Sequence, residues 1–166
     1  IGADGIKTGF LTVEKYSLAS SIKVNERRII AVGSGFVSKN ERSRESIKIL
    51  NWGFKKFDTV KITKKNEIFT SLDVWLGKKN KIEVIPNEDF YLTIPKRKKK
   101  TIKAVLEYKG PITTPITKGD KLALLNVYVS GELIKQIDIL AAEDVDKANI
   151  FLRLFTSLNY LVWGDV

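Results

Sequence analysis

The stretch Asp4-Gly5-Ile6-Lys7-Thr8-Gly9-Phe10 runs into Tyr16-Ser17-Leu18-Ala19-Ser20-Ser21-Ile22, a turn at Asn25-Glu26, and Arg28-Ile29-Ile30-Ala31-Val32-Gly33. Runs rich in β-branched residues, separated by short polar turns, favour strands. This stretch therefore predicts three successive strands, the last two a hairpin. The nearly continuous apolar run 29–32 predicts a strand covered on both faces. Beyond it, Ser38 or Asn40 can cap a helix over 41–52. Ile47, Leu50 and Trp52 supply its narrow apolar stripe, and Gly53 is placed to stop it.

Outward from there the pattern changes. Short apolar runs predict strands at 59–62, 68–74, 82–86, 90–94, 102–108, 112–116, 121–129 and 133–140. Breaks fall at Gly77-Lys78-Lys79-Asn80, at 95–100, at Gly110-Pro111, at Lys118-Gly119-Asp120 and at Ser130-Gly131-Glu132. Spacing of this kind predicts a small antiparallel sandwich or barrel. The last segment, 148–163, has helical periodicity: Phe151, Leu154, Phe155, Leu158, Leu161 and Val162 share one face, with Trp163 and Tyr160 near its end. Sixteen residues reach about 24 Å, short of the ~30 Å hydrocarbon core. The segment therefore reads as an interfacial helix that lies on a membrane rather than spanning it. A helix packed on its own domain or on a partner chain is the competing reading.

Composition limits the chemistry. The 166 residues carry 29 Lys+Arg against 19 Asp+Glu, a formal charge of +10, with 43% hydrophobic residues and neither Cys nor His. Those two zeros exclude disulfides, Cys/His zinc sites, c-type haem attachment and every Ser-His-Asp or Cys-His mechanism. Met is also absent, so the sequence reads as a processed product or a fragment. The positive charge is spread along the chain apart from Lys96-Arg97-Lys98-Lys99-Lys100. That run could neutralise phosphates. It follows Pro95 and has no interleaved aromatics to stack bases, so a solvated loop is expected and nucleic acid is not. Contact with anionic lipid head groups or a cell-wall polymer is intermediate between those readings.

Lys7-Thr8-Gly9 alone carries little information, since three-residue matches are common. Its context carries more: the strand it opens, the Tyr-centred strand, the hairpin, and the Arg/Glu-rich helix ending Leu50-Asn51-Trp52-Gly53-Phe54. That series resembles the end of the catalytic domain in the D-alanyl-D-alanine carboxypeptidases, the low-molecular-mass penicillin-binding proteins. Val74-Trp75-Leu76-Gly77, Phe90-Tyr91-Leu92-Thr93-Ile94-Pro95 and the turn at 115–119 resemble that family's all-β second domain. The terminal aromatic helix resembles its membrane-adhering tail. The resemblance covers essentially the whole chain, and the family it points to implies no metal or cofactor.

It implies an α+β remnant of a β-lactamase/transpeptidase-like domain at 1–58, an all-β sandwich at 59–146 and an amphipathic helix at 147–166. Lys7 would line the active site and attract the substrate's terminal carboxylate, and Thr8 would hydrogen-bond it. A side chain at Gly9 would block the substrate backbone, and the Phe10 backbone N–H would serve the oxyanion hole. The alternative for Lys7 is a solvated edge-strand lysine that discourages strand pairing. The family's nucleophilic Ser-x-x-Lys and its Ser-x-Asn loop are missing where they should be. Ser20-Ser21-Ile22-Lys23 falls on a predicted strand, where i and i+3 point to opposite faces, and Ser38-Lys39-Asn40 falls out of order.

Leu11 and Lys15 also depart from the family's usual Thr and Gly. The resemblance thus implies the C-terminal part of a serine carboxypeptidase that trims D-Ala from peptidoglycan stem pentapeptides and binds penicillin. The nucleophile would be supplied by an N-terminal catalytic segment, leaving this chain inactive in isolation. Its place would be peripheral, on the periplasmic face of the bacterial inner membrane. A non-catalytic, membrane-associated β-domain that binds or scaffolds is the rival.

Overall fold

A computed structural model describes residues 4, 6–25 and 27–150. The membrane-contact residues Phe151, Leu154, Phe155, Leu158, Leu161, Val162 and Trp163 of the expected helix lie outside the described residues. Its expected start at 147 is corrected: Lys147 bridges to Gly77, and the Ala148 N–H donates to the Leu76 carbonyl. The chain divides into two compact units. One comprises the described residues up to Val60 together with Thr93–Lys99, the other Lys61–Leu92 together with those from Lys100 onward.

In the first unit β1 (Lys7–Leu11), β2 (Lys15–Val24) and β3 (Arg27–Phe36) form an antiparallel sheet in that order, and α1 (Lys39–Lys56) packs against it. The helix starts at Ser38, whose Oγ accepts from the Glu41 N–H at 3.1 Å. Glu41 in turn accepts from the Val37 N–H at 2.7 Å, so side chains satisfy two backbone donors at the helix entry.

The structure corrects three expectations here. Gly53 does not end the helix, which runs on to Lys56. Gly53 instead lets the helix approach the sheet: a Cβ there would sit 3.0 Å from Ile29 Cδ1. At the helix end the Phe57 N–H donates to the Gly53 carbonyl, and Arg27 adds bonds from Nη2 to that same carbonyl (3.0 Å) and from Nη1 to that of Phe57 (2.7 Å). Second, the buried helix face is Ser46, Leu50 and Gly53, at i, i+4 and i+7, whereas Ile47 and Trp52 point to solvent. Third, among the described residues β3 is covered on one face only. Ile29, Ala31 and Gly33 are half-buried, while Ile30 and Val32 are 59% and 77% exposed. A continuous apolar run fits a strand covered on both faces, but α1 covers just one side of this sheet.

The second unit is mostly β. A six-stranded sheet has the order β8-β10-β11-β6-β5-β9, from β5 (Thr70–Trp75), β6 (Lys81–Pro86), β8 (Ile102–Tyr108), β9 (Ile112–Thr113), β10 (Lys121–Val129) and β11 (Glu132–Ala141). β4 (Phe57–Thr63) and β7 (Phe90–Pro95) pair as a separate ribbon. Alternation is clear in β5 and β6, where Leu72, Val74, Ile82 and Val84 face inward and their neighbours outward. Leu125, Val127, Ile137 and Ile139 complete the core, against which Ile62 and Phe90 pack.

On the other face of β10, Asn126 donates to Glu107 Oε2 (2.9 Å) and accepts from Gln136 Nε2 (2.8 Å). These three residues make a polar row across β8, β10 and β11. Two further expectations on local conformation differ from the structure. The strand expected at 112–116 shortens to two residues that pair in parallel with β5, because Thr114 Oγ1 turns to the Leu76 carbonyl and Ile116 bridges to Val145. The expected loop at 96–100 is a 3-10 helix, Lys96–Thr101, with Lys99 ion-paired to Asp58 at 2.9 Å.

Candidate functional site

β1 is an edge of its sheet among the described residues, and it carries Lys7, Thr8, Gly9 and Phe10. Lys7 lies opposite Ala19, Thr8 opposite Leu18, Gly9 opposite Ser17 and Phe10 opposite Tyr16. The Ala19 carbonyl faces β1, since it accepts from the Ile6 N–H at 3.2 Å. Inward and outward bonding alternates along an antiparallel strand. Ala19, Ser17 and Lys15 are therefore the residues of β2 that bond to β1, with Lys7, Gly9 and Leu11 as their partners. The backbone N–H groups of Thr8 and Phe10 point the other way, along the open edge.

The same registers sort the side chains. Leu18 and Ser20 oppose Gly33 and Ala31, and Ile22 opposes Ile29, which puts all of them on the face toward α1. Thr8 and Phe10 share that face. The Phe10 ring lies 4.8 Å from Tyr16, over whose ring the Arg42 guanidinium sits at 5.8 Å. Lys7 and Gly9 occupy the opposite face with Ile30 and Val32, the side that α1 leaves open. A Cβ at Gly9 would meet Ser17 Oγ at 2.5 Å, so that hydroxyl would have to turn away. Lys7 and Thr8 are exposed.

At the start of β1, Asp4 receives a hydrogen bond from Arg28 (2.6 Å), and the same guanidinium nitrogen donates to Ser21. That hydrogen bond, together with one to Ser21, holds the Asp4 carboxyl below its ordinary value.

The two motif look-alikes have structural employment. Ser20 is buried and donates to the Ala31 carbonyl at 3.2 Å. Lys23, an odd number of residues away on β2, faces the other side of the sheet. Ser38 is occupied as the N-cap of α1.

Sequence reasoning missed a second cluster. Trp52, Lys55 and Lys56 at the end of α1, Phe57, and Pro95, Lys96 and Arg97 line a groove of about 540 Å³, all within the first unit. Trp52 meets Phe57 edge-on, with ring centroids 5.0 Å apart at 66°. The basic run was visible in the sequence. Its aromatic partners lie some forty positions upstream, where no local pattern connects them.

Against known proteins, the family profile "Penicillin-binding protein 5, C-terminal domain" matches residues 57–147. D-alanyl-D-alanine carboxypeptidase DacC of Escherichia coli is 30% identical over 98% of this chain and 42% of its own length. DacA of Haemophilus influenzae is 32% identical over 99% of this chain and 42% of its own. Among solved structures, penicillin-binding protein 5 from Haemophilus influenzae superposes with a TM-score of 0.67 at 30% identity, over 89% of this chain and 43% of that one. DacD from Francisella tularensis gives 0.59, also at 30% identity, over 88% of this chain and 37% of that one. The chain belongs to the penicillin-binding protein 5 C-terminal domain family. It spans about two fifths of the length of the curated carboxypeptidases it matches.

Proposed function

We propose that this chain is the C-terminal part of a serine D-Ala-D-Ala carboxypeptidase acting on peptidoglycan stem peptides at the periplasmic face of the inner membrane. The observation that carries the reading is the placement of Lys7-Thr8-Gly9-Phe10. The motif sits on an open sheet edge with the Phe10 N–H turned outward, in a chain whose relatives are carboxypeptidases.

Residues 1–58 then belong to a transpeptidase-like α+β domain and 59–146 to its β-sandwich companion. The membrane-contacting role falls to the apolar residues that begin at Phe151. The Lys7 ammonium holds the substrate's terminal carboxylate from the open face, and Thr8, whose side chain falls on the other face, adds its hydrogen bond around the open edge of β1. The bare Gly9 lets the peptide lie against the strand. The Phe10 N–H donates to the carbonyl oxygen as negative charge develops during attack, which is when such a donor matters most. The attacking serine, its lysine partner and the Ser-x-Asn loop come from a preceding segment that packs on the face bearing Ile30 and Val32. Penicillin acylates that same serine.

The test is a chimera joining the part of Escherichia coli DacA that precedes the matched region to residues 1–166. It should release D-Ala from a pentapeptide and take up fluorescent penicillin, whereas the 166-residue chain alone should take up none. Lys7→Ala should lower kcat/KM about 10²–10³-fold. Labelling of the isolated chain, or a chimera that folds and is inactive, would favour the non-catalytic scaffold reading.

A further inference from the structure

The groove at the end of α1 has a lining of unusual chemistry. Every polar side chain on it is a donor: the Trp52 indole N–H, the ammonium groups of Lys55, Lys56 and Lys96, and the Arg97 guanidinium. No side chain of the lining accepts a hydrogen bond. Among the described residues no carboxylate is hydrogen-bonded or ion-paired to any of these four cations; Asp58 holds Lys99, a neighbour in the same turn, and feels Lys96 only through space. Donors alone leave the hydroxyl protons of a neutral sugar unmet, so the complementary ligand is an oxyanion.

The rest of the surface is apolar. Phe57, Pro95 and the Trp52 ring make a hydrophobic wall, and Trp52 is 53% exposed despite its size. A bare phosphate polymer offers such a wall no apolar atoms. A membrane surface engages protruding side chains better than a concavity. A groove of about 540 Å³ lies within the range that takes a short peptide or small ligand.

We propose that this groove binds an acidic peptide with small aliphatic side chains, its carboxylates gripped by Lys55, Lys56, Lys96 and Arg97 and its methyl groups laid against Trp52 and Phe57. Identifying that peptide with stem peptides of the wall polymer, held away from the site of cleavage, rests on the function proposed above. The binding chemistry does not.

The probe is acetyl-alanyl-glutamyl-alanyl-alanine with a free C-terminal carboxylate, titrated into the 166-residue chain. The readout is the Trp52 indole N–H resonance, assigned with Trp52→Phe. The expected result is a saturable shift with submillimolar affinity that weakens as salt rises. Lys96→Glu combined with Arg97→Glu should weaken binding at least tenfold. The charge-matched control, Lys103→Glu with Lys109→Glu, should change it less than twofold. Circular dichroism checks that each variant keeps its fold.

Equal losses in groove and control variants would overturn the proposal, because net charge alone would then explain binding. So would equal binding of the fully amidated peptide, or preferential binding to polyphosphate or to phosphatidylglycerol vesicles. Lys7→Ala should leave groove binding unchanged. An inactive chimera would thus leave this titration intact, and a failed titration would leave the carboxypeptidase reading intact.

Discussion

Arg27 offers the sharpest test of how the first unit is held together. Its two terminal nitrogens donate to the carbonyls of Gly53 and Phe57, and its guanidinium lies 5.2 Å from the Phe54 ring centroid. The Gly53 carbonyl already accepts from the Phe57 N–H, so Arg27 adds a second, charged bond there and one to the Phe57 carbonyl, placing a cation at the helix C-terminus. Charged hydrogen bonds contribute about 1.5–3 kcal/mol each when buried, and a cation over a ring about 0.5–1. Both bonds are partly buried, and in a variant water would reach the freed carbonyls, which brings each bond to about 1 kcal/mol.

Arg27→Ala should therefore destabilise the unit by about 3 kcal/mol, roughly a hundredfold in the opening equilibrium. Arg27→Lys keeps the charge but cannot span both carbonyls, and should lose about half as much. Amide hydrogen exchange along α1, read with and without urea, measures both. Arg28 is the internal control, because it faces the opposite side and pairs with an exposed Asp4; Arg28→Ala should change α1 exchange far less. If Arg27→Ala alters α1 protection by no more than Arg28→Ala does, the clamp is ornamental and the account of the helix end is wrong. The result also bears on the groove, since Arg27 fixes the backbone from which Trp52, Lys55, Lys56 and Phe57 project.

Other outcomes follow from the same structure. Leu125→Ala, at a core position 1% exposed, should lower stability by about 3–4 kcal/mol, read from the urea midpoint of the second unit. Lys15 adopts a left-handed backbone at φ 57°, so Lys15→Gly should stabilise the β1–β2 hairpin by about 0.5–1 kcal/mol; slower exchange of its amides would register the gain. Asp4, Asp58 and Asp146 have carboxyls held below the ordinary 3.8, chiefly by hydrogen bonds from Arg28, Lys99 and Lys78 respectively. A folded-state value below the unfolded one means that their contribution is present above pH 4 and is lost as pH falls through the lowered values. The urea midpoint should thus hold level on their account from pH 8 to 5 and drop below 4, and Asp58→Asn should flatten part of that drop.

How much of this was legible in the sequence depends on how local each signal was. The start of α1 could be read to within two residues because a cap acts locally, and of the two candidates Ser38 takes the role while Asn40 falls inside the helix. Strands at 102–108 and 121–129 match the structure at both ends, since turn residues bracket them closely. Gly53 misled because a glycine can mark a helix end or a close approach, and only the position of Ile29 distinguishes the two. The run 29–32 misled because apolar content does not reveal which face a neighbour covers. Lys7, Thr8, Gly9 and Phe10 could be singled out through context, but the direction of the Phe10 N–H depends on register with β2. The groove was illegible, since its two walls meet only after the chain has returned through β7.

The polar row formed by Glu107, Asn126 and Gln136 has a consequence for assembly. Slipping β10 by one residue would drive Asn126 into the aliphatic layer and set Leu125 and Val127 against the Glu107 and Gln136 side chains. Slipping it by two would keep the faces correct but leave an amide without its partners on both neighbouring strands. The row thus acts as a proofreading key, rejecting misthreaded pairings that oily side chains alone would tolerate.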